Sequence, residues 1–181
     1  MRPLLGARAL ALLVAGWAAA ACVEPAADAR IAQNELLARS LLDALARADT
    51  AAIEELFWPD AVYDDYQAQL RYLGIQEIVG YVTSVHVWGD NVYVDVAAVH
   101  AGPESATAEW LLAAVQARPM GDLVPVVTNR EVVLNGVTVI EVEGGRIRRA
   151  ADYVDTAPIA LQLGGRIEMP GGGVRELAPP R

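Results

Sequence analysis

The sequence predicts an α+β fold, a curved antiparallel sheet wrapped over N-terminal helices. Three observations carry this. Apolar residues fall at helical spacing in the first half of the chain and alternate in the second half. The two halves are not interleaved as βαβ units, which argues against a parallel sheet and for helices gathered on one face of an antiparallel one. Apolar types reach 54% over 181 residues, enough for one domain with a real core and too many for a disordered chain.

The chain opens with MRPLLGARALALLVAGWAAAAC. Arg2 and Arg8 give a basic start, Ala9 to Ala18 is an apolar run short for a bilayer, and Ala19-Ala20-Ala21 is a small-residue cleavage site before Cys22. Residues 1–21 are therefore expected to be an export signal. Cys22, the single cysteine of the chain, stands where bacterial lipoproteins carry their acylated residue, although Ala19 replaces the usual Leu. Acylation would anchor the mature protein in a membrane of the cell envelope. The alternative is ordinary export to a soluble periplasmic or secreted state. Residues 22–33 are expected to be a tether. Without residues 1–21, twelve arginines face 23 acids and the net charge is −11. Such a chain repels phosphate backbones, so no nucleic-acid partner is expected.

Helical spacing of Leu36, Leu37, Leu41, Leu42 and Leu45 predicts a first helix over 35–48, with Asn34 as its N-cap. Asp49 or Thr50 can cap a second helix over 51–58, stopped by Pro59. DAVYDDY (60–66) reads as a short strand or extended segment, and Gly74 precedes a third helix over 75–85. Residues 91–100 are β-branched and read as strand. Residues 108–116 fit helix or strand by period alone and are read as strand from their context. Residues 118–127 carry Pro119, Gly121 and Pro125 and read as a loop. Residues 131–142 form a strand with a bulge expected at Asn135-Gly136, and Gly144-Gly145 turns it into the next strand over 146–155. The domain is expected over 34–163, followed by an irregular Gly/Pro-rich tail over 164–181.

The stretches LLARSLLDALARADTAAIEELFWPDAVYDD, LGIQEIVGYV and GVTVIEVEGGRIRRAADYVD, taken in this order, resemble SnoaL-like members of the nuclear transport factor 2-like superfamily. Its relatives include ketosteroid isomerase, polyketide cyclases and limonene-1,2-epoxide hydrolase. The resemblance covers about residues 34–157. It implies a cone: a bent sheet over three helices enclosing an apolar cavity, and commonly a homodimer through the outer sheet face.

It also implies site residues. Asp65 stands where ketosteroid isomerase has its catalytic carboxylate, but the oxyanion-hole positions fall near Leu41 and Thr138. Tyr63 matches the water-holding tyrosine of the epoxide hydrolase, Asp65 replaces its asparagine, and Asp152 matches one of its catalytic acids. Trp110-Leu111-Leu112 replaces its Arg-x-Asp set. The candidate catalytic residues are thus Asp65, Tyr63 and Asp152. Strand alternation turns Tyr63 and Asp65 to one face and Asp64 to the other. Desolvation in an apolar cone raises a carboxyl pKa, which suits proton transfer near neutral pH. Trp110, Leu112 and Trp88 are the candidate ligand-binding residues, an aromatic and aliphatic wall for a small apolar molecule.

His86 and His100 lack metal-ligand spacing, so no metal site is expected. No phosphate-binding glycine loop and no nucleophile elbow occurs, and no cofactor is expected. Two function classes remain. One is a ligand-binding enzyme doing acid–base chemistry of isomerase, cyclase or epoxide-hydrolase type. The other is a non-catalytic binding or assembly module of the envelope.

Overall fold

The computed structural model describes residues 27–176. The expected export signal and Cys22 lie outside the described residues. Helices come first, and the sheet follows. Helix α1 spans Ala27–Arg47, α2 Thr50–Leu56, α3 Ile75–Val82 and the single turn α4 Val85–Trp88. The main sheet holds β1 (Phe57–Asp65), β2 (Leu70–Leu73), β3 (Gly89–Ala101), β4 (Ser105–Gln116), β5 (Glu131–Glu143) and β6 (Arg146–Val154), in the order β2-β1-β6-β5-β4-β3. All pairs are antiparallel except β1 with β6. The sheet is curved and unclosed, with the helices against its inner face, the expected α+β cone.

Helix α1 starts earlier than its apolar stripe predicts. Residues 27–33, read as tether, continue the helix, so Asn34 lies inside α1 and not at its cap. It is buried, and its Nδ2 donates to Gly102 O at 2.8 Å, pinning the helix to the β3–β4 turn. Leu41 and Leu42 are buried, but Leu36 is exposed, because each helical residue turns 100° and Leu37 already occupies the stripe. Asp49 caps α2 by accepting from Ala52 N at 3.0 Å. Pro59 does not stop this helix. β1 begins at Phe57, and Pro59 falls where the β1–β6 register shifts between Phe57 and Val62, so the missing N–H breaks no regular ladder.

The third helix, expected over 75–85, ends at Val82 as α3, and the separate turn α4 starts at Val85. Strand β2 is absent from the sequence reading because its four residues carry no alternation. The register of β4 with β5 runs unbroken through Asn135-Gly136, so the expected bulge is absent there. Gly136 has a different reason. A Cβ at that position would overlap the Trp110 indole, whose Cε2 would lie 2.9 Å away. Gly144 and Gly145, both at positive φ, make the β5–β6 turn as expected.

Beyond the cone, α5 (Ala157–Gln162) packs on β5. The expected irregular tail contains a small hairpin of β7 (Ile167–Glu168) and β8 (Val174–Arg175).

Candidate functional site

The inner face of the sheet takes every second residue. On β4 these are Ala106, Ala108, Trp110, Leu112 and Ala114, and on β5 Thr138 and Ile140. On β6 the same alternation places Asp152, and pairing Thr138 with Asp152 across β5 and β6 sets their side chains together. Thr138 Oγ1 donates to Asp152 Oδ1 at 2.6 Å. Tyr63, on β1, donates to the same oxygen at 3.0 Å, and Tyr81, on α3, donates to Oδ2 at 3.0 Å. Trp110 Nε1 donates to Thr138 Oγ1 at 2.8 Å, which commits the threonine proton to Asp152.

Asp152 is 5% exposed. Burial pushes its carboxyl up to about 6, against the downward pull of hydrogen bonds from Thr138, Tyr63 and Tyr81. The nearby Asp65 carboxylate adds to the rise. Burial, followed by the negative charge of Asp152, holds the Tyr63 and Tyr81 hydroxyls well above the usual phenol range. They therefore stay protonated donors around neutral pH. Tyr63 meets Tyr81 edge to face at 4.9 Å, and Tyr72 stacks on Tyr81 at 4.4 Å.

A cavity of about 210 Å³ opens over this carboxylate. Asp65, Asp152 and Tyr81 stand in its polar lining with Gln67, Ser84 and Thr156, and Trp88, Trp110 and Leu112 stand among its apolar lining. Of the residues proposed from sequence, Asp65, Asp152, Trp110, Leu112 and Trp88 thus meet at one cavity. Tyr63 lies behind the wall, fully buried with its hydroxyl on Asp152, so it orients that carboxylate instead of reaching a ligand or water.

Asp65 and Asp64 turn to opposite sides of β1. Asp65 Oδ1 accepts from Gln67 N at 3.1 Å and Ala68 N at 3.0 Å, closing the turn into β2. Asp64 accepts from Arg71 at 2.6 Å and Arg149 at 2.9 Å. The Arg71 hydrogen bond, with help from Arg149, holds its carboxyl below the usual range.

Tyr81 escaped the sequence reading as a site residue. It looks like one more helix aromatic, and only the fold brings α3 over the end of β6. The histidines are placed elsewhere: His86 Nε2 bonds Leu45 O at 2.8 Å, and His100 is exposed at a strand end. Among the described residues no three His, Cys, Asp or Glu side chains gather to hold a metal ion.

A family model described as the SnoaL-like domain matches residues 38–150. No match is found among curated protein sequences. Several solved structures share the fold. One assigned as a SnoaL-like polyketide cyclase from Jannaschia sp. superposes with TM-score 0.65 at 16% identity, over 73% of this chain and 92% of that one. A protein with a ketosteroid isomerase-like fold from Catenulispora acidiphila, in complex with trimethylamine, gives 0.60 at 18% identity over 71% and 92%. An LEH-like epoxide hydrolase from M. tuberculosis gives 0.54 at 18% identity over 69% and 84%. At these identities the likeness is one of fold.

Proposed function

Because the chain belongs to the SnoaL-like domain family, we propose that its cavity binds a small apolar molecule and that Asp152 exchanges a proton with it or with a water beside it. One observation carries the proposal: a buried carboxylate on the cavity wall, held by three hydroxyl donors and with its pKa raised to about 6. At neutral pH such a group is mostly ionised yet poorly solvated, the state a general base needs. Tyr63, Thr138 and Tyr81 are positioning residues. They fix the carboxylate plane, and Trp110 fixes Thr138. Asp65 is the second carboxylate at the cavity, and its repulsion helps keep Asp152 basic.

The reaction class is proton abstraction, from a carbon acid or from water, as isomerases, cyclases and epoxide hydrolases of this fold require. The ketosteroid isomerase arrangement does not support this chain's chemistry unchanged. Leu41, at the first oxyanion-hole position, is an apolar core residue, and Thr138, at the second, spends its proton on Asp152.

A panel of single-ring ketones and epoxides tests the proposal. Turnover found with the wild type should fall about 10²–10⁴-fold in Asp152→Asn. Undiminished turnover would remove Asp152 from the chemistry. The second reading, a non-catalytic binding module of the envelope, draws on the fact that both oxygens of Asp152 already accept hydrogen bonds. Binding of panel members without turnover would favour it.

The proposal includes export and lipid anchoring through Cys22, supported by Ala19-Ala20-Ala21 before it. Mass spectrometry of the membrane fraction should find an acylated N-terminal cysteine, and a soluble mature chain with a free thiol would refute the anchor. It also includes pairing of two copies through the outer sheet face, where Tyr93 and Tyr153 stand exposed. A monomeric mass in light scattering would refute that pairing.

A further inference from the structure

Strand β5 outruns β6. The last β5–β6 pair is Gly136 with Val154, so residues 131–135 lack a regular strand partner on that side. Asp155 N reaches Asn135 O at 3.2 Å, and then the chain leaves the sheet. The Gln162 side chain takes the vacant place. Its Oε1 accepts from Val133 N at 2.8 Å and its Nε2 donates to Val133 O at 2.9 Å, as the backbone of a neighbouring strand would.

This latch holds α5 over the cavity. Thr156 and Ile159 line it, while Leu161 and Leu163 are buried. The exit from α5 is as tightly set. Gly165 N donates to Ala160 O at 2.7 Å, and a Cβ on Gly164 would overlap the Arg130 guanidinium. The α5 side of these contacts, residues 155–165, lies beyond the family-matched stretch 38–150, and their partners Arg130, Val133 and Asn135 lie within it.

We infer that α5, latched to Val133 by Gln162, is the size-setting wall of the cavity and restricts this protein to ligands of about one ring. The inference rests on the proposal that the cavity binds a ligand, and it adds the class of ligand and the residue that selects it. Its volume is about 210 Å³. A 150 Å³ apolar cavity holds benzene, whereas sites for drug-sized ligands run about 300–1,000 Å³. A substituted single ring fits, and a fused polycycle does not while α5 is seated.

The test uses toluene, followed by calorimetry, and prodan, a naphthalene dye followed by its fluorescence. The wild type should bind toluene and exclude prodan. Gln162→Ala should raise prodan affinity about tenfold or more, as expected when two hydrogen bonds holding the closed state are lost. Ile159→Ala, which widens the cavity with the latch intact, serves if Gln162→Ala fails to fold, and it should admit prodan too. Equal prodan binding by the wild type and the variants would overturn the inference. Acrylamide quenching of tryptophan emission is read in parallel, since Trp88 and Trp110 line the cavity. If neither probe binds any form, the ligand-site reading fails. In that case a rise in quenching in Gln162→Ala still upholds α5 as the wall, and unchanged quenching overturns it.

Discussion

Replacing Asp152 by asparagine should stabilise the protein at neutral pH while removing its proposed chemistry. The carboxyl is raised from 3.8 to about 6, chiefly by burial. A raised carboxyl pKa means that the folded state binds the proton more tightly than the unfolded chain. Its contribution to stability is therefore full below about pH 4 and is lost as pH rises through about 6. Two units at about 1.4 kcal/mol each give about 3 kcal/mol lost by the wild type over this interval. Asparagine mimics the protonated acid and loses nothing. Tyr63 and Thr138 can still donate to its Oδ1, and the Tyr81 hydroxyl can rotate to accept from its Nδ2. Urea unfolding of both proteins at pH 4 and pH 8 reads the difference, and every other titrating group cancels between them. The variant should be close to the wild type at pH 4 and about 3 kcal/mol more stable at pH 8. A gap that does not change with pH would refute the argument. A gap of opposite sign would mean that three donors outweigh burial, leaving Asp152 a satisfied structural acid.

The same network yields three further expectations. Tyr81→Phe removes one charge-assisted hydrogen bond, so the acid limb of a pH–rate profile should move up by about one unit. A limb left in place would separate Tyr81 from the titrating group. Asp65→Asn removes the repelling neighbour and should move that limb slightly down, while Asp64→Asn, on the arginine side of β1, should leave it fixed. Equal shifts in both variants would contradict the opposite placement of the two acids. Gly136→Ala should cost about 1–3 kcal/mol in urea unfolding, with a change in Trp110 emission, because the new methyl overlaps the indole. Unchanged stability would mean that Trp110 has another seat.

The fold was legible where a period of two or of 3.6 runs long enough to bury one face, as in α1, β4 and β5. It was not legible where a tertiary contact replaces a local rule. Asn34 looks like a cap by residue type, yet a carbonyl 68 positions away takes its amide. Pro59 looks like a helix stop, yet a register shift makes room for it in β1. Gly136 looks like a bulge, and its small size instead answers to an indole on the neighbouring strand.

The site divides along the same line. Alternation around Tyr63-Asp64-Asp65 separates the two acids correctly, since the residues that decide it are adjacent in sequence. What alternation does not reveal is which acid is held by side-chain hydroxyls alone. Asp65 sits at a strand end, where the next turn offers two N–H groups and takes one of its oxygens. Asp152, its register partner near the end of β6, is met instead by the hydroxyls of Tyr63, Tyr81 and Thr138, side chains of other elements. A carboxylate met only by hydroxyls is costly to bury and easily reprotonated. The position that is hardest to justify for stability is therefore the one best suited to moving a proton.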